Sequence, residues 1–480
     1  MAPHHWRPRS GAPRALAGAL ALCLAGCAVV MDNQPRNRPW APAQADGRVA
    51  STTSALPQAG PLADETVVAL SFSGGGARAA AFALGALHGL DTAPAGNGRS
   101  LLAHVGFITS VSGGSMTAAW VGLHGTGALD EFRRVALLRD SEQGLRASLL
   151  NPVNLLRLAA GGLNDRSTFQ RWLDDEVFHG ATFAQMSQPG RPVVWINATN
   201  LRQRIAFPFH QRAFDALCSD LASYPVAEAV AASMAVPLVF APVVLEKHPE
   251  QCGGPLPDWV DSYSLAFGET MLAQSLLTAL HDFRDTRTGR YVKLVDGGLT
   301  DNFGLTSIQQ SRLLMGTPHA PFSEADALRV RRLLFLVVDG GRRPAVDWNR
   351  GVDGPGGLDL ALAAIDAAID TNVRLSYDSF LPMVRRWQDD VIRWRCALPA
   401  AVQQQQRDQR AHWRCDDVQF GITRIGFDDL GPQRAAALHA VSTRLSLPAA
   451  DVDALIAAGR EAVGANWQVR LFSQLLAAGG

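Results

Sequence analysis

The stretch Val67 to Leu87, VVALSFSGGGARAAAFALGAL, constrains the fold more than any other. A β-branched, apolar run ends in Gly74-Gly75-Gly76, Arg78 follows, and an alanine-rich helical pattern begins at once. A buried strand that turns into a helix through bare backbone is a unit of α/β architecture, in which ligands gather at the carboxyl ends of strands. Free N–H groups at a helix start suit a phosphate, the oxyanion of an acyl-transfer transition state, or only a tight turn. No Gly-Lys-Ser/Thr follows, so a P-loop is excluded. Gly74, Gly76 and Ala79 satisfy G-x-G-x-x-A with Asp91 downstream, so nucleotide binding stays open.

The same alternation continues along the chain. Val105–Val111, Pro192–Ala198, Tyr291–Val295 and Leu333–Val338 read as buried strands, and Arg78–Leu90 and Met116–Leu123 read as helices. The expected fold is α/β, a mostly parallel central sheet flanked by helices. With 480 residues, 47% of them hydrophobic, the chain is ample for a large core.

The strand ends carry chemistry. Ser110-Val111-Ser112-Gly113-Gly114-Ser115 leaves one strand and enters a helix, as a G-x-S-x-G nucleophile elbow would, with Ser110 in place of the first glycine. Ser112 is the candidate nucleophile, with Ser110 and Ser115 as competitors. A serine needs a partner to take its proton. Asp296-Gly297-Gly298 and Asp339-Gly340-Gly341 each end a strand, and either carboxylate fits. Asp339 precedes Arg342 and Arg343, which favours a salt bridge there and Asp296 as the base.

These motifs, in this order, resemble the patatin-like phospholipase family. The resemblance rests on Gly74-Gly75-Gly76-Ala77-Arg78, on Ser110 to Gly114, on Asp296-Gly297-Gly298 with Asp301-Asn302, and on Ala232-Ser233-Met234-Ala235-Val236-Pro237 between them. It covers about Val67 to Phe303 and implies a Ser112–Asp296 dyad without histidine. It also implies an oxyanion hole from Gly74, Gly75 and Gly76, with Arg78 ordering the loop or adding charge. The substrate it implies is a fatty acyl ester, such as a phospholipid, lysophospholipid or acylglycerol. It implies no cofactor. Three rivals remain: a full triad using His412 or His439, a nucleotide-binding protein, and a lipoprotein that binds lipid without cleaving it. Scattered histidines without HExxH give no metal site, and balanced charge, 44 basic against 44 acidic residues, gives no reason to expect nucleic acid.

The N-terminus reads as an address. Arg7, Arg9 and Arg14 precede an apolar stretch, Ala15 to Ala25, too short to span a bilayer. It ends Leu24-Ala25-Gly26-Cys27, which resembles a bacterial lipobox, so Cys27 is expected to carry lipid after loss of residues 1–26. The expected location is the bacterial cell envelope, lipid-anchored, with Ala28 leaning toward the outer membrane facing the periplasm. Residues 27–64, rich in Pro, Ala, Ser and Gln, read as a disordered tether to the membrane surface. A catalytic domain is expected over 65–345, with a mainly helical extension, 346–480, packed on it. Cys218, Cys252, Cys396 and Cys415 suggest two disulfides in an oxidising compartment, with three connectivities open. Leu145–Leu158, LRASLLNPVNLLRL, reads as ordinary core, with a lid or membrane contact as the alternative. Oligomeric state is not legible.

Overall fold

A computed structural model describes residues 31–41, 64–148, 150–252, 270–342, 352, 354–410 and 412–478. Residues 1–30, with the leader and Cys27, and residues 42–63 of the expected tether lie outside the described residues. The central sheet has eight strands: β1 (Thr66–Phe72), β2 (Val105–Val111), β3 (Val193–Asn200), β4 (Ile205–Phe209), β5 (Val243–Glu246), β6 (Tyr291–Asp296), β7 (Arg332–Asp339) and β8 (Gln419–Gly426). Their order is β8-β7-β1-β2-β3-β6-β5, with β4 also paired to β3. The ladders from β8 to β3 are parallel, and those made by β4, β5 and β6 are antiparallel. Strands β1 and β7 are buried along nearly their whole length, as parallel strands covered on both faces must be.

Each face of the sheet has its own core. One holds Leu70, Phe72, Ile108 and Leu336 under α1 (Gly76–Thr92), α2 (Gly113–His124) and α3 (Val226–Ser233). The other holds Trp195, Phe335 and Val337 under α4 (Thr306–Met315) and the 40-residue α5 (Gly357–Cys396), through Ile308, Phe380, Val384 and Trp387. Alanine and glycine are plentiful in α1 for a packing reason. A Cβ on Gly85 would sit 2.1 Å from the Ile456 carbonyl oxygen, and one on Gly459 would sit 2.2 Å from that of Phe82. Backbones of α1 and α6 (Ala449–Ala465) therefore touch directly, which larger side chains would forbid.

Two expectations change. The boundary at 345/346 does not end the sheet, because β8 from the C-terminal region pairs with β7 over its whole length, and α6 packs on α1. Residues 31–41, expected as disordered tether, form an ordered strap. Arg38–Pro39 pairs with Ser219–Asp220, and Asn37 Nδ2 donates to Ser219 Oγ and the Glu246 carbonyl, both at 2.9 Å. Trp40 is buried against the Cys218–Cys252 disulfide. The second disulfide joins Cys396 at the end of α5 to Cys415, so each cysteine pairs with its neighbour in sequence.

Candidate active site

Strand register brings the serine and the aspartate together. On one edge of β3, β4 pairs with Ile196–Asn200. On the other edge, β2 pairs with Val193–Asn197 and β6 with Ala198–Asn200. Strands β2 and β6 run toward each other along that edge, with Val111 opposite Asn197 and Asp296 opposite Ala198. Their carboxyl ends meet there. Ser112 Oγ, one residue past β2, donates to Asp296 Oδ2 at 2.9 Å.

Ser112 sits at φ 50°, ψ −126°, between β2 and α2. A non-glycine residue with positive φ is strained, and such strain is held only where surroundings enforce it. The surroundings are visible. Ser112 N–H donates to Ser233 Oγ at 2.7 Å, Ser233 Oγ donates to the Asn197 carbonyl at 2.6 Å, and Ser115 Oγ lies 3.0 Å from Ser233 Oγ. The sequence places Ser233 in the Ala232–Pro237 block but marks no role for it; the structure gives it that of a brace for the elbow. The competing serines are occupied: Ser110 Oγ donates to the Trp195 carbonyl at 3.1 Å, and Ser115 braces the elbow. Serine at 110 is accommodated by that buried bond.

Asp296 is buried, with Oδ1 accepting from Gly298 N–H at 2.8 Å. Burial raises its pKa to about 6, against the lowering effect of the hydrogen bonds from Gly298 N–H and the Ser112 hydroxyl. The segment after it is stitched into the site. The Asn302 carbonyl accepts Gly74 N–H at 3.2 Å, the Phe303 carbonyl accepts Ser71 Oγ at 2.6 Å, and the Gly304 carbonyl accepts Thr109 Oγ1 at 2.9 Å. Burial also raises the pKa of Asp301, which accepts from the N–H groups of Phe303 and Thr306.

The glycine loop lies against the serine: a Cβ on Gly74 would be 3.1 Å from Ser112 Cβ. Gly76 has φ +60°, and a Cβ there would meet the Arg444 carbonyl oxygen at 2.3 Å, so only glycine fits. A Cβ on Gly113 would lie 2.0 Å from the Gly76 carbonyl oxygen, so loop and elbow are in backbone contact. The N–H groups of Gly75 and Gly76 have no acceptor among the described residues.

Two members of the expected oxyanion set are otherwise engaged. Gly74 N–H is already given to Asn302. Arg78 is 1% exposed and lies beneath the loop, where Nε donates to the Gly340 carbonyl at 3.0 Å and Nη1 to the Val441 carbonyl and Thr443 Oγ1 at 2.9 and 2.8 Å. Burial lowers its pKa to about 10, so it stays charged at neutral pH. Its geometry is that of a loop anchor.

The other candidates separate cleanly. Asp339 Oδ2 accepts from Arg424 Nη1 at 2.5 Å, so the expected salt bridge exists, but its cation comes from neighbouring β8. His412 Nε2 lies 2.8 Å from Glu65, which precedes the start of β1, and His439 Nε2 lies 3.1 Å from Asp428. Asp91 accepts from Ser100 Oγ at 3.1 Å. Among the described residues, no three His, Cys, Asp or Glu side chains gather as a metal site, and no helix is long and apolar enough to cross a membrane.

A hydroxyl on a buried carboxylate, beside backbone N–H groups without acceptors, is an arrangement suited to acyl transfer. No curated protein matches the chain. The family model described as Patatin-like phospholipase matches residues 70–308, a span that contains the glycine loop, the serine elbow and Asp296. Residues 70–308 therefore form a patatin-like phospholipase domain, of a family of lipid acyl hydrolases.

Proposed function

We propose that this chain hydrolyses fatty acyl esters of phospholipids, lysophospholipids or acylglycerols through a Ser112–Asp296 dyad. The observation that carries this reading is the 2.9 Å hydrogen bond from a strained serine hydroxyl to a buried carboxylate. Ser112 Oγ attacks the ester carbonyl as Asp296 takes its proton. A pKa of about 6 suits a base at neutral pH better than the ordinary value of 3.8, since the group is mostly ionised yet more basic. The N–H groups of Gly75 and Gly76 hold the oxyanion, each such donor being worth about 3–4 kcal/mol. Asp296 returns the proton to the leaving alcohol. Water, deprotonated by the same carboxylate, then attacks the acyl-serine; as the fatty acid leaves, Asp296 returns that proton to Ser112 Oγ.

The sequence of the N-terminus supports a place at the membrane surface of a bacterial envelope, held by lipid on Cys27. Release of fatty acid from phosphatidylethanolamine–phosphatidylglycerol vesicles tests the activity. The wild type should release it and Ser112→Ala should not. Equal release by both would refute the reading.

A further inference from the structure

The helix Pro152–Ala159 is inside out. Its polar Asn154 is 6% exposed and donates from Nδ2 to the Ser148 carbonyl at 2.8 Å, whereas Leu150, Val153, Leu155 and Leu156 are 96, 46, 50 and 38% exposed. The leucine-rich segment expected as core therefore presents Leu150, Val153, Leu155 and Leu156 to solvent, and among its described residues only Leu145 packs on the core. A globular helix ordinarily does the reverse. Gly162–Asn164, just after it, pairs with Leu238–Phe240, where Leu238 and Val239 are also exposed. Leu238 holds φ 73°, a costly conformation for a branched side chain, and keeps its side chain in solvent. This second segment leads straight from the site: the Ala235 carbonyl accepts Asp296 N–H at 2.9 Å.

The N-terminal strap says what covers this face. Asp32 N–H donates to Asp165 Oδ2 at 3.0 Å, Arg166 Nη1 donates to Asp32 Oδ1 at 3.1 Å, and Arg157, within the helix, lies 3.7 Å from Met31 Sδ. Arg157 also donates to Asp165 at 3.0 Å, so strap and helix share one ion cluster. Only four peptide steps separate Met31 from Cys27, a reach of at most about 14 Å. A lipid on Cys27 would therefore enter its bilayer beside the exposed leucines.

We infer that this face, Leu150 to Leu156 with Leu238 and Val239, is a second membrane contact that seats the bilayer carrying the anchor against the Ser112 site. The occupant is a phospholipid bilayer, and the inference rests on the acyl-hydrolase and lipid-anchor readings above. A lipid anchor on a flexible tether holds the protein at the bilayer without orienting it, and a second apolar contact fixes that orientation. The tether and the leucine face together point the site at ester bonds in the lipid layer.

The test uses the full chain bound to phosphatidylethanolamine–phosphatidylglycerol vesicles. On the anchor reading Cys23 leaves with the leader and the Cys27 thiol carries lipid; Cys218, Cys252, Cys396 and Cys415 are paired in disulfides, so a thiol dye can report Leu155→Cys. Gln405→Cys serves as control, exposed on the helix Ala400–Gln409, whose last residue lines a pocket with Glu65 just before strand β1. The Leu155 dye should blue-shift on vesicles and be quenched by spin-labelled lipid, while the Gln405 dye does neither. Equal, water-like emission from both overturns the inference. So does a Leu155 dye already blue-shifted without vesicles and untouched by labelled lipid, which would mean that protein covers the face. In the triple variant Val153→Ser, Leu155→Ser, Leu156→Ser, fatty acid release from vesicles should fall about tenfold or more. Hydrolysis of soluble p-nitrophenyl butyrate should hold; unchanged vesicle hydrolysis overturns the inference. A wild type inert on both esters refutes the dyad instead, and the dye measurement still decides the surface. The mass of the Cys27 peptide reports the anchor separately.

Discussion

Ser112 and Asp296 share a hydrogen bond because two strands meet head-on along a third, Val111 opposite Asn197 and Asp296 opposite Ala198. Residues 184 apart in sequence are thus fixed by backbone register rather than by flexible loops. Asp339 ends its strand with the same tripeptide but lies two strands away from β2 in the sheet, paired to Arg424. Asp296→Asn should lower esterase turnover by about 10²–10⁴-fold, the usual worth of a general base. Asp339→Asn should leave kcat near wild type and lower stability by about 1–3 kcal/mol through the lost charged hydrogen bond. Turnover and thermal melting of both variants check this.

The raised pKa of Asp296 has two consequences of opposite sense. On the proposed dyad the reaction needs the carboxylate, so kcat/KM should fall as pH drops through about 6. Stability runs the other way. A carboxyl with a native pKa above its unfolded value of 3.8 keeps its proton longer when folded. Its favourable contribution is present below 3.8 and is lost as pH rises to 6. That shift corresponds to about 3 kcal/mol, to order of magnitude. Asp296→Asn should therefore melt higher than wild type at pH 8, with the gap narrowing toward pH 4. Calorimetry across that range measures it.

Arg78 ties the glycine loop to Gly340 and to Val441 and Thr443 in the C-terminal region. Lysine cannot make this forked set of bonds. Arg78→Lys should reduce kcat about ten- to a hundredfold by loosening the loop, with KM for a soluble ester little changed. Thr443→Val should give a smaller loss in the same direction. Steady-state kinetics on a p-nitrophenyl ester read both, and circular dichroism confirms folding.

Gly76→Ala places a Cβ 2.3 Å from the Arg444 carbonyl oxygen at φ +60°. Loop and C-terminal segment must part to admit it. Turnover should fall by at least the 10²–10³-fold associated with one oxyanion donor, and melting should drop, because strain of this kind costs about 1–3 kcal/mol. Full activity with unchanged melting would make the loop a mere turn.

The disulfides close spans of 34 and 19 residues. Loops of that size are worth roughly 3–4 kcal/mol each. Cys396→Ser with Cys415→Ser should lower Tm, as should reduction of the wild type. The Cys218–Cys252 pair should also govern the strap, since Trp40 packs on it. Fluorescence of the strap region on reduction follows that step.

Features set by local pattern were legible. Strands β1, β2, β3, β6 and β7 announce themselves as apolar runs bounded by glycine or polar turns, and the glycines after β1 and β6 mark the place in the sheet where Ser112 and Asp296 meet. Features set by tertiary partners were not. Strand β8, QFGITRIG, carries polar and charged residues because it is an edge, buried chiefly toward its carboxyl end. The strap has no periodicity; Asn37 and Trp40 are ordered by distant groups. The leucines of Pro152–Ala159 carry a core pattern, and only the burial of Asn154 shows which side faces inward. Ser233 and Arg78 bind backbone carbonyls, acceptors that no side-chain motif reveals.

Reaction of the folded chain with a fluorophosphonate, followed by peptide mass mapping, addresses the dyad most directly. A single adduct on Ser112 is the expected result, absent in Ser112→Ala, strongly slowed in Asp296→Asn, and unaffected in Asp339→Asn. An adduct on Ser110, Ser115 or Ser233 would contradict the account. So would fatty acid release by a chain that takes no label, or labelling that depends on Asp339 and not on Asp296.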